Sequence, residues 1–217
     1  MSAAASPNFG ERRGGQQPSL IVLHYTGMPS CAEARARLCD PKAEVSAHWV
    51  ICETGHTEAL VPEHLRAWHA GTGSWGGLAD VNSRSIGIEL ANSGSQPFGE
   101  PQMSALESLL VGVMARWSIP PHGVIAHSDM APDRKSDPGR RFDWHRLARS
   151  GLSIWPERRQ ALPADFGPAA QRFGYPNATH VLTAFRLRFR PWGVGAPDAE
   201  DAGLAVDLAQ RYPVRPA

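Results

Sequence analysis

The order of apolar and polar positions splits the chain into a front part with strand-like runs and a back part with helical spacing. Leu20-Ile21-Val22-Leu23 is continuously apolar, as in a strand covered on both faces. It predicts a strand over 19–25 that brings His24 to its end beside a Gly-Met-Pro turn. Residues 31–39 read as a helix stopped at Asp40-Pro41, because the residue before a proline is pushed out of the helical region. Residues 46–52 form a second predicted strand, turned at Glu53-Thr54-Gly55 into a hairpin with 57–61. Ser85-Ile86-Gly87-Ile88-Glu89-Leu90 is a third, with Gly87 permitting close backbone approach. The clearest helix spans about 101–118, where Met103, Leu106, Leu110, Val113, Met114 and Trp117 recur at three- and four-residue steps behind Pro101. Val124-Ile125-Ala126 is a short apolar run delivering His127, and 142–149 reads as a helix ended by Gly151.

These elements predict an α/β fold, a central mixed β-sheet of about five or six strands with helices on both faces, plus a small C-terminal three-helix module. Residues 1–18, rich in Ala, Ser, Gly, Gln and Pro, read as a flexible arm. Residues 19–155 form the main domain. Prolines gather near 151–165, which places a linker there. Helical signals then follow over 166–175, 179–189 and 197–212, the last with Leu204, Leu208 and Tyr212 on one face, so 156–217 is the module.

Composition narrows the partners. The chain has 217 residues, 42% of them hydrophobic, enough to bury a core, and a formal net charge of +1. No basic stripe interleaves with aromatics, so nucleic acid is excluded as a main partner, and the short Arg-rich segment 186–190 reads as a solvated helix face. The N-terminal stretch has no apolar signal region, and no run of about 18 apolar residues appears elsewhere, so no membrane association and a cytoplasmic location are expected. Cys31, Cys39 and Cys52 are odd in number and fit a reducing compartment. Cys31 and Cys39 stand eight residues apart on one helix, a rise of about 12 Å, too far to bond, and all three cysteines are expected as free thiols.

The candidate chemistry is concentrated between Pro121 and Gly139, PHGVIAHSDMAPDRKSDPG. His127 ends an apolar run, and a Pro-rich loop returns Lys135 and Asp137 to its neighbourhood. With His24 at another strand end, two imidazoles and a carboxylate make a three-ligand set. On a tetrahedral Zn²⁺ such a set leaves a fourth position for water, which then loses its proton near neutral pH and can attack an amide.

The blocks LHYTG, SAHWVI, AWHAG, NSRSIGIEL and AHSDMAPDRKSDPG, in this order over roughly residues 19–145, resemble the zinc-dependent N-acetylmuramoyl-L-alanine amidases of the amidase_2 group, related to the peptidoglycan recognition proteins. The resemblance implies one Zn²⁺ per chain on His24, His127 and Asp137, with Glu89 as acid and base and Lys135 near the oxyanion. It implies cleavage of the amide between the lactyl group of N-acetylmuramic acid, or its anhydro form, and the L-alanine of the stem peptide. The partners are then muropeptides or peptidoglycan fragments, in turnover or recycling. In the resembling family the region of His48, Trp68, His69 and Trp75 lines the substrate cleft, where an aromatic can cover a sugar ring. His48 has two other readings, a core residue or a group orienting a ligand, and Asn82 and Arg84 could grip a peptide carboxylate. The tail resembles the peptidoglycan-binding module often attached to these amidases. The rival reading is a recognition protein that binds muropeptide without cutting it. Relatives of that kind lose a metal ligand, and here all three candidates are present.

Overall fold

The computed structural model describes residues 5–214. Among them the strands are β1 (Phe9–Gly10), β2 (Leu20–Tyr25), β3 (Trp49–Ile51), β4 (Thr57–Ala59), β5 (Arg66–Ala67), β6 (Ser85–Leu90) and β7 (Val124–Ala126). The apolar run of β2 lies inside a five-stranded sheet of order β4-β3-β6-β2-β7, where only β4 runs antiparallel to its neighbour. The α-helices are α1 (Cys31–Cys39), α2 (Glu100–Trp117), α3 (His127–Met130), α4 (Trp144–Arg149), α5 (Phe166–Phe173), α6 (Val181–Phe189) and α7 (Ala199–Arg211).

Strand alternation assigns the two faces. Ile21 and Leu23 of β2 join Ile86, Ile88, Leu90, Val124 and Ala126 in a core against α2 and α4, built with Met103, Leu106, Leu110, Val113, Trp144 and Leu147. Leu20, Val22 and Ile125 belong to a second core with Phe166, Phe173, Phe185, Phe189, Leu204 and Leu208 of the C-terminal helices. Among the described residues from 156 onward there are three α-helices, and they cover the sheet's other face directly. Half-buried Trp155 packs against both cores, so the proline-rich stretch is a seam. In the parallel pairing of β2 with β6, His24 stands opposite Glu89.

Three expectations are corrected. The arm is docked over its described residues: β1 pairs with β5, the Ser6 hydroxyl donates to the Leu38 carbonyl at 2.5 Å, and Arg12 is enclosed. Arg12 Nη1 donates to the carbonyls of Ser83 at 2.9 Å and Ser85 at 3.2 Å, so a single fork satisfies backbone that would otherwise be orphaned. Residues 1–4 lie outside the described part. The Arg-rich segment is not a solvated face, because Arg186 pairs with Asp201 at 2.5 Å and Arg188 with Asp129 at 2.6 Å, both arginines being buried. Cys31 and Cys52 are bonded, with their Cα atoms 5.2 Å apart, and only Cys39 of the three is free. Sequence spacing excluded only the pair within α1, whereas the bond joins the first residue of α1 to the residue after β3. No helix among the described residues is long and apolar enough to cross a membrane.

Candidate metal centre and cleft

β2 ends by presenting His24, β7 ends at Ala126 so that His127 opens α3, and the loop after α3 brings back Asp137. The approach is close. His24 Nδ1 and His127 Nδ1 are 2.8 Å apart, and each is 3.0 Å from Asp137 Oδ2. All three residues are buried.

The surrounding hydrogen bonds determine which of these atoms carry protons. The Ser85 hydroxyl donates to the Val81 carbonyl at 2.6 Å, so Ser85 Oγ accepts from His69 Nε2 at 3.1 Å. His69 Nδ1 is then the acceptor for His24 Nε2–H at 3.0 Å, which leaves His24 Nδ1 bare. His127 Nε2–H donates to the Ala70 carbonyl at 2.9 Å, so Nδ1 is the lone-pair atom of the neutral ring. Burial pushes the His24 pKa down to about 4, with the neighbouring His127 adding to the effect. With both rings neutral, two imidazole lone pairs and a carboxylate oxygen face one another, an arrangement that repels itself unless a cation sits at the focus. These three residues form a group able to hold a metal ion. Ligand atoms about 2.1 Å from a tetrahedral Zn²⁺ stand about 3.4 Å apart, so a small outward relaxation fits the donor set to that ion.

Glu89 occupies the floor of the same cleft. Its Oε2 is enclosed and has no hydrogen-bond partner. Burial raises its pKa to about 8, reinforced by the charge of Asp137 and opposed by that of Lys135. Strand alternation turns Ile86, Ile88 and Leu90 into the α2 core, so Glu89 goes to the opposite face with Ser85 and Gly87. Exposed Lys135 lines the cleft, a cavity of about 410 Å³.

The other expected contacts divide. Trp68 is a half-buried part of the cleft wall. His69 reaches the cleft edge, but its ring is engaged by His24 and Ser85 and rests on Gly87, where a Cβ would meet it at 2.3 Å. Its placement is that of a support for a ligand. Trp75 is absent from the cleft, being packed edge-on against Phe173 and Tyr175 under the C-terminal helices. His48 is fully buried, its Nδ1 accepting the Gly87 N–H at 2.9 Å and its Nε2–H donating to the Leu65 carbonyl at 3.1 Å. Asn82 Oδ1 accepts the N–H groups of His69 and Ala70 at 3.0 and 2.8 Å, and Arg84 donates to the carbonyls of Trp75 and Leu78. Neither of these two lines the cleft. Their polar atoms hold loop backbone in place, so the expected grip on a peptide carboxylate is corrected to loop support.

Tyr25, Arg37, Leu38 and Arg134 also line the cleft and escaped the sequence reading. Tyr25 lies next to His24 and Arg134 next to Lys135 in their own blocks, which was a usable signal. Arg37 and Leu38 reach the cleft only through the placement of α1, for which the local sequence carries no sign.

The profile of the N-acetylmuramoyl-L-alanine amidase family matches residues 14–140. The N-acetylmuramoyl-L-alanine amidase AmiD of Escherichia coli is 34% identical over 89% of this chain and 83% of its own length. The 1,6-anhydro-N-acetylmuramyl-L-alanine amidase AmpD of Haemophilus influenzae is 34% identical over 67% of this chain and 89% of its own. Among solved structures, E. coli AmiD in complex with the substrate anhydro-N-acetylmuramic acid-L-Ala-D-γ-Glu-L-Lys superposes with a TM-score of 0.83 at 31% identity, covering 96% of this chain and 99% of that one. AmpDh3 of Pseudomonas aeruginosa in complex with anhydromuramic pentapeptide gives 0.82 at 28% identity, covering 98% and 99%.

Proposed function

The chain belongs to the N-acetylmuramoyl-L-alanine amidase family, and on that premise we propose that His24, His127 and Asp137 hold one Zn²⁺ at the point where the substrate amide is cut. The enzyme hydrolyses the amide between the lactyl group of N-acetylmuramic acid and the L-alanine that begins the stem peptide, in peptidoglycan turnover. The observation that carries the metal reading is the meeting of two imidazole nitrogens and a carboxylate oxygen beside the unpartnered Oε2 of Glu89.

When bound, the ion supplies Lewis acidity, which polarises the amide carbonyl and makes a water molecule acidic enough to act as nucleophile near neutral pH. Glu89 takes the proton of the attacking water at Oε2 and passes it to the departing nitrogen, so the stem peptide leaves with a free amino group. Its raised pKa places the carboxylate where both acceptance and donation are feasible, and a cation beside Asp137 offsets the charge that raises it. Lys135 faces the negative charge that develops on the carbonyl oxygen. The line His69, Ser85, Val81 keeps His24 Nδ1 bare and aimed into the cluster. Trp68 supplies an apolar face to the sugar or to the lactyl-alanine junction.

The substrate class is muropeptides, the anhydro forms included, in line with the ligands named for the similar AmiD and AmpDh3 structures. The Cys31–Cys52 bond favours work in an oxidising compartment over the cytoplasmic location expected from the sequence, because such bonds persist where thiols are not kept reduced.

The test is incubation with defined anhydro- and reducing-end muropeptides, with and without chelator, following stem peptide by mass spectrometry. Release that chelator abolishes and added Zn²⁺ restores is expected, and release indifferent to chelator removes the metal from the mechanism. Glu89→Gln should keep stoichiometric metal and lose turnover about a thousandfold. Full activity in that variant would take Glu89 out of the reaction.

A further inference from the structure

Besides exposed contacts such as His180 with Asp133, the C-terminal helices meet the β7–α3 junction that carries His127 through a buried cluster. Arg188 of α6 is enclosed, and its guanidinium donates to Asp129 Oδ2 at 2.6 Å and to the Val124 carbonyl at 2.8 Å. Tyr175, just beyond α5, donates its hydroxyl to Asp129 Oδ1 at 2.6 Å. Asp129 Oδ2 also accepts the Ala126 N–H at 2.8 Å. Val124 and Ala126 belong to β7 and Asp129 to α3, so these donors grip the chain before and after the point where strand becomes helix. His127 is the residue at that point.

We infer that Arg188 and Tyr175 are positioning residues of the metal centre, through which the C-terminal unit sets the direction in which His127 presents Nδ1. The inference rests on the metal reading of His24, His127 and Asp137. A fully buried ion pair adds little stability over apolar residues of the same volume, because desolvation offsets the attraction. What the arginine fork does impose is direction, since its donors are fixed in one plane and each acceptor must meet them there. The guanidinium is itself seated over the Trp144 ring, 4.5 Å from its centroid. Arg186 with Asp201 is also a buried pair, yet it joins α6 to α7 inside the unit and stays off the metal loop. It provides the internal control.

Tyr175→Phe removes one hydroxyl, Arg188→Lys keeps the charge and removes the fork, and Arg186→Lys makes the same change where the loop is not involved. For each full-length protein the Zn²⁺ affinity is measured by competition with a chromophoric chelator, the visible spectrum of the Co²⁺ form is recorded, and the metal-free thermal midpoint is determined. Tyr175→Phe and Arg188→Lys should each weaken Zn²⁺ binding about tenfold and alter the Co²⁺ spectrum, the size of effect seen for groups that orient a ligand. Arg186→Lys should change neither, whatever its thermal midpoint. Unchanged affinity and spectrum in Tyr175→Phe and Arg188→Lys, or equal weakening in Arg186→Lys, overturns the inference. If the unaltered protein binds neither ion, the metal reading falls and takes this inference with it.

Discussion

At position 48 an imidazole is sealed between the Gly87 N–H and the Leu65 carbonyl, and burial pushes its pKa down to about 3. The unfolded chain binds a proton there near pH 6.5. The unfolded state therefore holds more protons between those two values, and stability falls as pH drops through that window, while above pH 6.5 the group contributes no slope. From pH 7 to pH 5 this one histidine should cost about 2 kcal/mol of the metal-free protein's stability. Urea unfolding of the metal-free protein at both pH values, beside His48→Gln, checks it: the variant should start less stable and lose less on acidification. An identical slope would assign the acid sensitivity to other groups, His24 and His69 being the next in line, since burial also depresses both. The sequence pointed to the candidate group of His24, His127 and Asp137 because these residues sit at strand ends or in one Pro-rich loop, and they meet in the fold. It could not say which way Trp75, Asn82 or Arg84 point. Those directions follow from which surface the C-terminal helices cover and from which carbonyls need a donor, facts that exist only after the chain has closed.

At the scale of elements, the longest apolar patterns carried most information. The run at 19–25 forms β2 over Leu20–Tyr25, and the periodic stretch at 101–118 forms α2 over Glu100–Trp117, ending where Ser118 takes a positive φ of 54°. The strand expected over 46–52 is shortened to Trp49–Ile51, because Ser46 uses its hydroxyl on the Asn8 carbonyl and its N–H on the Trp68 carbonyl. The β1–β5 ribbon had no periodic signal at all, having two residues per strand. α1 was legible as a helix, with Ser30 capping the Glu33 N–H, but its tether was not. Since α1 carries Arg37 and Leu38 along the cleft, the Cys31–Cys52 bond anchors one cleft wall to the sheet. The bond closes a separation of 21 residues, for which chain entropy gives about 3 kcal/mol. Denaturant titration with and without reductant should show that loss, accompanied by a rise in KM larger than any fall in kcat. An unchanged KM on reduction would show that the wall holds its place without the tether.

For the whole molecule, the two faces of one sheet account for the two large cores, beside a smaller cluster of Leu38, Ala47, Val50 and Leu60. Phe185 is fully buried beneath the C-terminal helices, against Phe166 and Phe189 and within the core that holds Val22 and Ile125. Phe185→Ala should cost about 4 kcal/mol by leaving a cavity there. Because sheet and helices share that core, intrinsic fluorescence and circular dichroism should report one coincident unfolding transition in the variant as in the parent. Two separated transitions would show that the units fold independently. Composition marked the change near residue 151 but could not reveal the docking, since Leu20, Val22 and Ile125 look the same in sequence whichever helices lie on them. A binding domain on a slack linker searches a volume, and its effective concentration follows from the length of the tether. Here the last three helices lie against the same strands that end in the cleft. Any surface gripped by those helices would hold the scissile amide's seat at one set distance and angle, so bonds at that reach would be cut and their neighbours passed over.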